Sequence, residues 1–183
     1  MEIIKIERNE YPDFLQEKFS GFNDSPNCLY YLGDLSLLQQ NVIAVIGKRE
    51  ASEKDLQKAF NYGKEKATQG NVILNGLAIG CDTSAIKGAL SAKGKVIAVM
   101  PCGLHSIYPS RNRELAIQIL RFGGCLISQF APNSSVNKYS FLQRDKVQVM
   151  LSDQVVAVAA NETGGTAYTL KYAEKNNVRT KKL

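Results

Sequence analysis

Three turns in this chain could hold an anion. Gly47-Lys48-Arg49 follows the apolar run Val42-Ile43-Ala44-Val45-Ile46, and Ser52 then offers a helix N-cap. Asn75-Gly76-Leu77-Ala78-Ile79-Gly80 follows Val72-Ile73-Leu74 and leads into Asp82 or Thr83 as a helix cap. Thr163-Gly164-Gly165-Thr166 follows Val155-Val156-Ala157-Val158-Ala159 and opens a helix through Leu170 and Ala173. Glycine lets backbone N–H groups point at a close neighbour. A helix N-terminus after such a turn concentrates donors at the positive end of the helix. In the first turn Arg49, with Lys48 beside it, can pair with a phosphate or stack on a base. A solvated charged turn would explain the same two residues.

A fourth stretch suits a single-stranded nucleic acid. Lys138 and Arg144 can hold a backbone while the Phe141 ring stacks on a base. A plain helix start with Phe141 buried is the simpler alternative. No catalytic set can be assembled: paired carboxylates are absent from the strand ends, and Asp82 is explained equally well as a cap. His105 is the single histidine, and the four cysteines (Cys28, Cys81, Cys102 and Cys125) include no C-x-x-C. This pattern argues against a zinc site and against Cys–His catalysis. No metal or cofactor is expected.

The elements that must position these residues alternate. From Asn41 onward, apolar runs of strand length are separated by stretches of helical period over 53–69, 83–92, 112–120 and 165–176, with a further helix near 142–151. Such alternation predicts an α/β fold with a doubly wound, mostly parallel sheet. The three turns then lie at the carboxyl ends of strands, where open α/β sheets bind ligands. Residues 1–40 are richer in aromatics and irregular, with a helix start at Tyr11–Leu15 and a short strand or extended segment at Leu29–Gly33, and are expected to form a small N-terminal cap on a core spanning 41–183. A chain of 183 residues with 44% hydrophobic content can build one sizeable core. The net charge of +6 permits polyanion binding, although Arg179, Lys181 and Lys182 crowd the last five residues. No apolar run reaches membrane-spanning length, and Met1-Glu2-Ile3-Ile4-Lys5 lacks a signal-peptide layout. Scattered thiols then fit a reducing cytoplasm.

Taken in order, the motifs resemble the DNA-processing protein A family (DprA, also called Smf). The likeness runs through Tyr11-Pro12, Leu29-Tyr30, Val45-Ile46-Gly47-Lys48-Arg49 and Gly76-Leu77-Ala78 with Gly80 and Asp82. It continues through Cys102-Gly103-Leu104, Ile107-Tyr108-Pro109, Asn112-Arg113-Glu114-Leu115, Leu126-Ile127-Ser128 and Thr163-Gly164-Gly165-Thr166-Ala167. The resemblance implies an extended Rossmann-like domain that binds single-stranded DNA, loads a RecA-type recombinase in natural transformation, dimerises and is not an enzyme. It assigns DNA contact to Arg49, Lys138 and Phe141.

Departures are also visible. Lys48 replaces a Ser of the family, Ile79 an Arg, Asp145 an Asn, Lys146 an Arg and Ala160 a Glu. The family also usually continues into another strand where this sequence ends at Leu183. Without the Arg at Ile79, the second turn is expected to hold phosphate through backbone N–H groups, with Arg49 and Lys138 supplying charge. A competing class is a nucleotide-binding sensor or a small-nucleotide enzyme like the lysine-decarboxylase-like phosphoribohydrolases, which share the fold type. Their Pro-Gly-Gly-x-Gly-Thr turn and the catalytic Glu after it are not matched at Thr163–Thr166, and Glu174 lies too far along the helix.

Overall fold

The near-continuous Val, Ile, Leu and Ala runs become strands buried on both faces, as a parallel sheet between two helical layers requires. The computed structural model describes residues 2–183. Its strands are β1 (Ile4–Glu7), β2 (Cys28–Gly33), β3 (Val42–Gly47), β4 (Val72–Asn75), β5 (Val96–Val99), β6 (Cys125–Ser128), β7 (Gln154–Val158) and β8 (Arg179–Lys182). They form one eight-stranded sheet in the order β1-β2-β6-β5-β4-β3-β7-β8. Neighbours from β6 to β8 are parallel, and β1 and β2 join antiparallel.

The helices are α1 (Asp13–Phe19), α2 (Glu53–Thr68), α3 (Cys81–Ser91), α4 (Arg113–Arg121), α5 (Lys138–Met150) and α6 (Gly165–Lys175). Along β3, alternate residues serve opposite layers. Val42, Ala44 and Ile46 face a core shared with Leu15 and Phe19 of α1, Val147 of α5 and Leu170 of α6. Ile43 and Val45 face Ala59 of α2, Ile86 of α3 and Ile119 of α4.

Three boundaries differ from expectation, each for a physical reason. The N-terminal segment does more than cap the core. Tyr30, Tyr31 and Leu32 pair with Ser128, Ile127 and Leu126, so β2 extends the sheet beyond β6. The strand itself falls where the sequence reads an extended segment over Leu29–Gly33; its place in the sheet is what the sequence does not show. The helix expected near 142 begins at Lys138, because Asn137 and Ser140 form a reciprocal capping box one turn earlier. Finally, Arg179–Lys182 forms a strand the sequence leaves unassigned. It pairs with β7 through backbone alone and exposes its cations, which suits a sheet edge and carries no apolar signal.

Candidate functional site

β4, β3 and β7 are neighbours, so the three glycine-bearing turns meet at one edge of the sheet. The chain winds from β3 toward β6 in one direction and to β7 and β8 in the other. The crevice between β3 and β7 is therefore the topological switch point. A cleft of about 580 Å³ occupies it. Gly47, Lys48 and Arg49 form one wall, Gly164, Gly165 and Thr166 the other, and Arg144, Asp145 and Gln148 of α5 the floor. No side chain caps the N-terminus of α6, so its first N–H groups remain open to a ligand. At Gly47 a methyl group would lie 2.5 Å from the Val158 carbonyl and 2.6 Å from Cys81 Cβ, so glycine here lets β3, β7 and α3 converge.

The second turn behaves differently from expectation. Neither Asp82 nor Thr83 caps α3; Gly80 does, with φ 82°, a conformation that favours glycine. Asp82 turns back into the turn before it. Its Oδ2 accepts from the Gly76 N–H at 3.1 Å and the Ala78 N–H at 3.3 Å. Asn75 closes the rest: its Oδ1 accepts from Leu77 N–H, and its Nδ2 donates to the Asp82 carbonyl, both at 3.0 Å. Those three backbone donors are spent inside the protein, which leaves the Ile79 and Gly80 N–H groups as the donors this turn can still offer an anion. A buried carboxylate now supplies the negative charge that the turn's donors would otherwise seek.

Burial pushes the Asp82 carboxyl up to about 6, against the opposing pull of Arg144 and the two N–H donors. The folded protein therefore holds this proton more tightly than the unfolded chain does. The resulting stability is fully present below about pH 4 and is lost as pH rises through about 6. Relative to Asp82→Asn, the natural protein should lose stability across that window in urea unfolding at a series of pH values. A difference that stays flat from acid to neutral pH would contradict this.

Arg144 lies beneath the turn and is only 5% exposed. Its Nη1 donates to the Gly76 carbonyl at 2.5 Å and the Val99 carbonyl at 3.3 Å, and its Nε to Asp145 Oδ1 at 2.9 Å. It thus ties β4 and β5 to α5. Burial raises the Asp145 carboxyl pKa, with Arg144 opposing. One turn N-terminal along α5, the half-buried Phe141 ring has the Arg49 guanidinium 5.4 Å from its centroid and that of Arg144 at 6.0 Å. Tyr108 meets the same ring edge-on at 5.4 Å. These four residues, with Gly76 and Ile79, line a second cavity of about 130 Å³ that shares Arg49, Ala78 and Arg144 with the larger cleft.

Of the residues expected from sequence, Gly47, Lys48, Arg49, Arg144, Gly164, Gly165 and Thr166 line the large cleft, and Gly76 and Phe141 line the small one. Asn75 is fully buried, and Gly80 backs onto the Lys48 and Arg49 carbonyls. Lys138 is exposed at the start of α5 and lines neither cavity. His105 is exposed, with Nδ1 2.8 Å from Asn133 Oδ1. Sequence reasoning missed Asp145, Gln148 and Tyr108. The signal for the first two was the helical spacing of Phe141, Arg144, Asp145 and Gln148, which places polar groups on the face α5 turns toward the sheet.

The sequence matches the family described as DNA recombination-mediator protein A over residues 2–180. The chain belongs to this family. Protein Smf of Escherichia coli is 33% identical over 161 residues, covering 88% of this chain and 43% of that protein. DNA processing protein DprA of Streptococcus pneumoniae is 33% identical over 167 residues, covering 89% and 56%. The chain thus spans about half the length of the curated relatives it matches. Among solved structures, DNA processing protein A from Helicobacter pylori, described for its single-stranded DNA binding mode, superposes with a TM-score of 0.87 at 29% identity, covering 100% of this chain and 80% of that one. The Streptococcus pneumoniae DprA structure gives 0.87 at 27% identity, covering 100% and 63%. The eight-stranded α/β architecture is therefore the Rossmann-like fold of this family.

Proposed function

We propose that this chain is a DprA-type DNA-processing module that binds single-stranded DNA at the carboxyl edge of its sheet. The observation that carries this reading is the half-buried Phe141 ring, with the Arg49 and Arg144 guanidiniums 5.4 Å and 6.0 Å from its centroid, in the small cavity that adjoins the switch-point cleft. An aromatic face offers a base a sequence-tolerant platform. Arg49 and Lys48 stand where the adjoining phosphates would run, and the open N-terminus of α6 adds donors on the opposite wall. The likeness to a Helicobacter pylori protein described as binding single-stranded DNA supports the same ligand.

The module acts by binding, without catalysis: Asp82 is held by the Gly76 and Ala78 N–H groups, Arg144 by two backbone carbonyls and Asp145, and His105 stands away from the cleft on Asn133. The family's description as a recombination mediator supports delivery of the strand to a RecA-type recombinase. A homodimer acting in the cytoplasm completes the reading, which sedimentation and a recombinase pull-down address.

The deciding measurement is a binding curve for a poly-dT oligonucleotide across a salt series. Lys and Arg that neutralise phosphates release counterions, so affinity should fall steeply and linearly in a log–log plot. Arg49→Ala should flatten the slope by about one ion. Salt-insensitive binding, or no binding at micromolar protein, would refute the proposal.

A further inference from the structure

The floor of the switch-point cleft carries acceptors without donors. Gln148 is 2% exposed, and its Oε1 is the buried side-chain atom left without a hydrogen-bond partner among the described residues. The amide cannot relieve this by turning over. Its Nε2 donates to Asp145 Oδ1 at 2.9 Å, and a flip would set oxygen against carboxylate. Asp145 repeats the pattern: Oδ1 accepts from both Arg144 Nε and Gln148 Nε2, while Oδ2 accepts no donor among the described residues. Oδ2 lies toward the start of α6, 3.7 Å from where a methyl on Gly165 would stand. Both residues line the cleft.

Gln148 Oε1 is buried out of a ligand's reach, so Asp145 Oδ2 is the acceptor offered to the cleft, and it asks for an N–H donor. A divalent cation fits poorly. The described residues hold no cluster of three His, Cys, Asp or Glu, and Arg144 and Arg49 already bring positive charge to Asp145. A neutral amine fits better. Adenine, cytosine and guanine carry an exocyclic NH₂, whereas thymine presents carbonyl oxygens there. The cleft, about 580 Å³, is of the size that takes small ligands. We propose that it selects an amino-bearing nucleobase over thymine, with Asp145 Oδ2, oriented by Arg144 and Gln148 through Oδ1, accepting an N–H of the amine. This inference rests on the single-stranded DNA reading above when the base belongs to a strand, and stands without it when the base belongs to a free nucleotide.

Cytosine and thymine are pyrimidines of similar stacking area, so they isolate the hydrogen-bond difference. Oligo(dC) should bind roughly tenfold more tightly than oligo(dT) of equal length at neutral pH and fixed salt. Gln148→Leu should shrink that ratio toward one. Asp145→Asn should reverse it. Arg144 and Gln148 hold the Oδ1 position as an acceptor, so the Asn amide would point its Nδ2 donors into the cleft. Thermal unfolding checks that each variant folds; if Asp145→Asn does not, Gln148→Leu carries the test. Titration of dCMP against dTMP separates the sources. Preference for dCMP assigns the site to a free nucleotide as well, and preference seen only in oligonucleotides assigns it to a base within a strand. Equal affinity for the two oligonucleotides, or a dC preference unchanged in both variants, overturns the proposal. Failure of both oligonucleotides to bind sinks the DNA reading instead, and the base preference then stands or falls on dCMP.

Discussion

Arg144→Ala is expected to remove about 3–5 kcal/mol of folding stability, the range seen when one partner of a buried ion pair is deleted. The guanidinium fork reaches three places at once: the Gly76 carbonyl, the Val99 carbonyl and Asp145 Oδ1. Its removal leaves Asp145 and Asp82 facing each other in a buried site with less compensating charge, since Arg144 is the main force lowering both carboxyls. The variant should also titrate differently, with both carboxyls protonating at higher pH than in the natural protein. Arg144→Lys should recover only part of the loss, because an ammonium cannot serve the same planar set of acceptors. Urea unfolding of the three proteins measures this. A loss below about 1 kcal/mol for Arg144→Ala would mean the carboxylates find other partners or solvent. The residue expected from sequence to touch DNA therefore acts first as a strut that joins β4 and β5 to α5.

Phe141→Ala should weaken single-stranded DNA binding by about 1–3 kcal/mol, the value of one base stacked on an aromatic ring. Phe141 suits a specific test because it is half-buried at the cavity rim and absent from the two core clusters. Truncation should leave the fold intact while removing the platform between Arg49 and Arg144. Phe141→Tyr keeps the π face and should retain most of the affinity. The salt slope should be almost unchanged in Phe141→Ala, since no phosphate contact is lost, whereas Arg49→Ala changes both slope and affinity. Equal binding by Phe141→Ala and the natural protein would place the base elsewhere.

Much of this was legible from residue types. Apolar runs buried on both faces announce a parallel sheet, and glycine-bearing turns after three of them announce a ligand edge. Ser52 caps α2 by accepting from the Asp55 N–H, as its position before Glu53 indicates. The weaker signals were those where neighbours decide. β8 is a strand because β7 offers it backbone partners, and β2, legible as a short extended segment, takes its place in the sheet only because β6 pairs with it. Asp82 is the sharper case. Locally it reads as a helix cap, yet its carboxylate serves the turn behind it, six and four residues back at Gly76 and Ala78.

Local pattern sets the α/β class, the order of strands and helices from Asn41 as far as α6, and the chemistry available at each turn, because side-chain periodicity and turn propensity are local properties. The tertiary structure alone decided which donors remain for a ligand. Arg144 reaches Gly76 across 68 residues, and Gln148 and Asp145 arrive at the β3–β7 crevice from a helix that begins well after both turns on that side. Hydrogen-bond satisfaction is a property of the assembled interior, where every buried polar atom must find its partner among groups distant in the chain. Three donors of the second turn were thereby committed to Asp82 and Asn75, while the Gln148 oxygen was left buried without a partner.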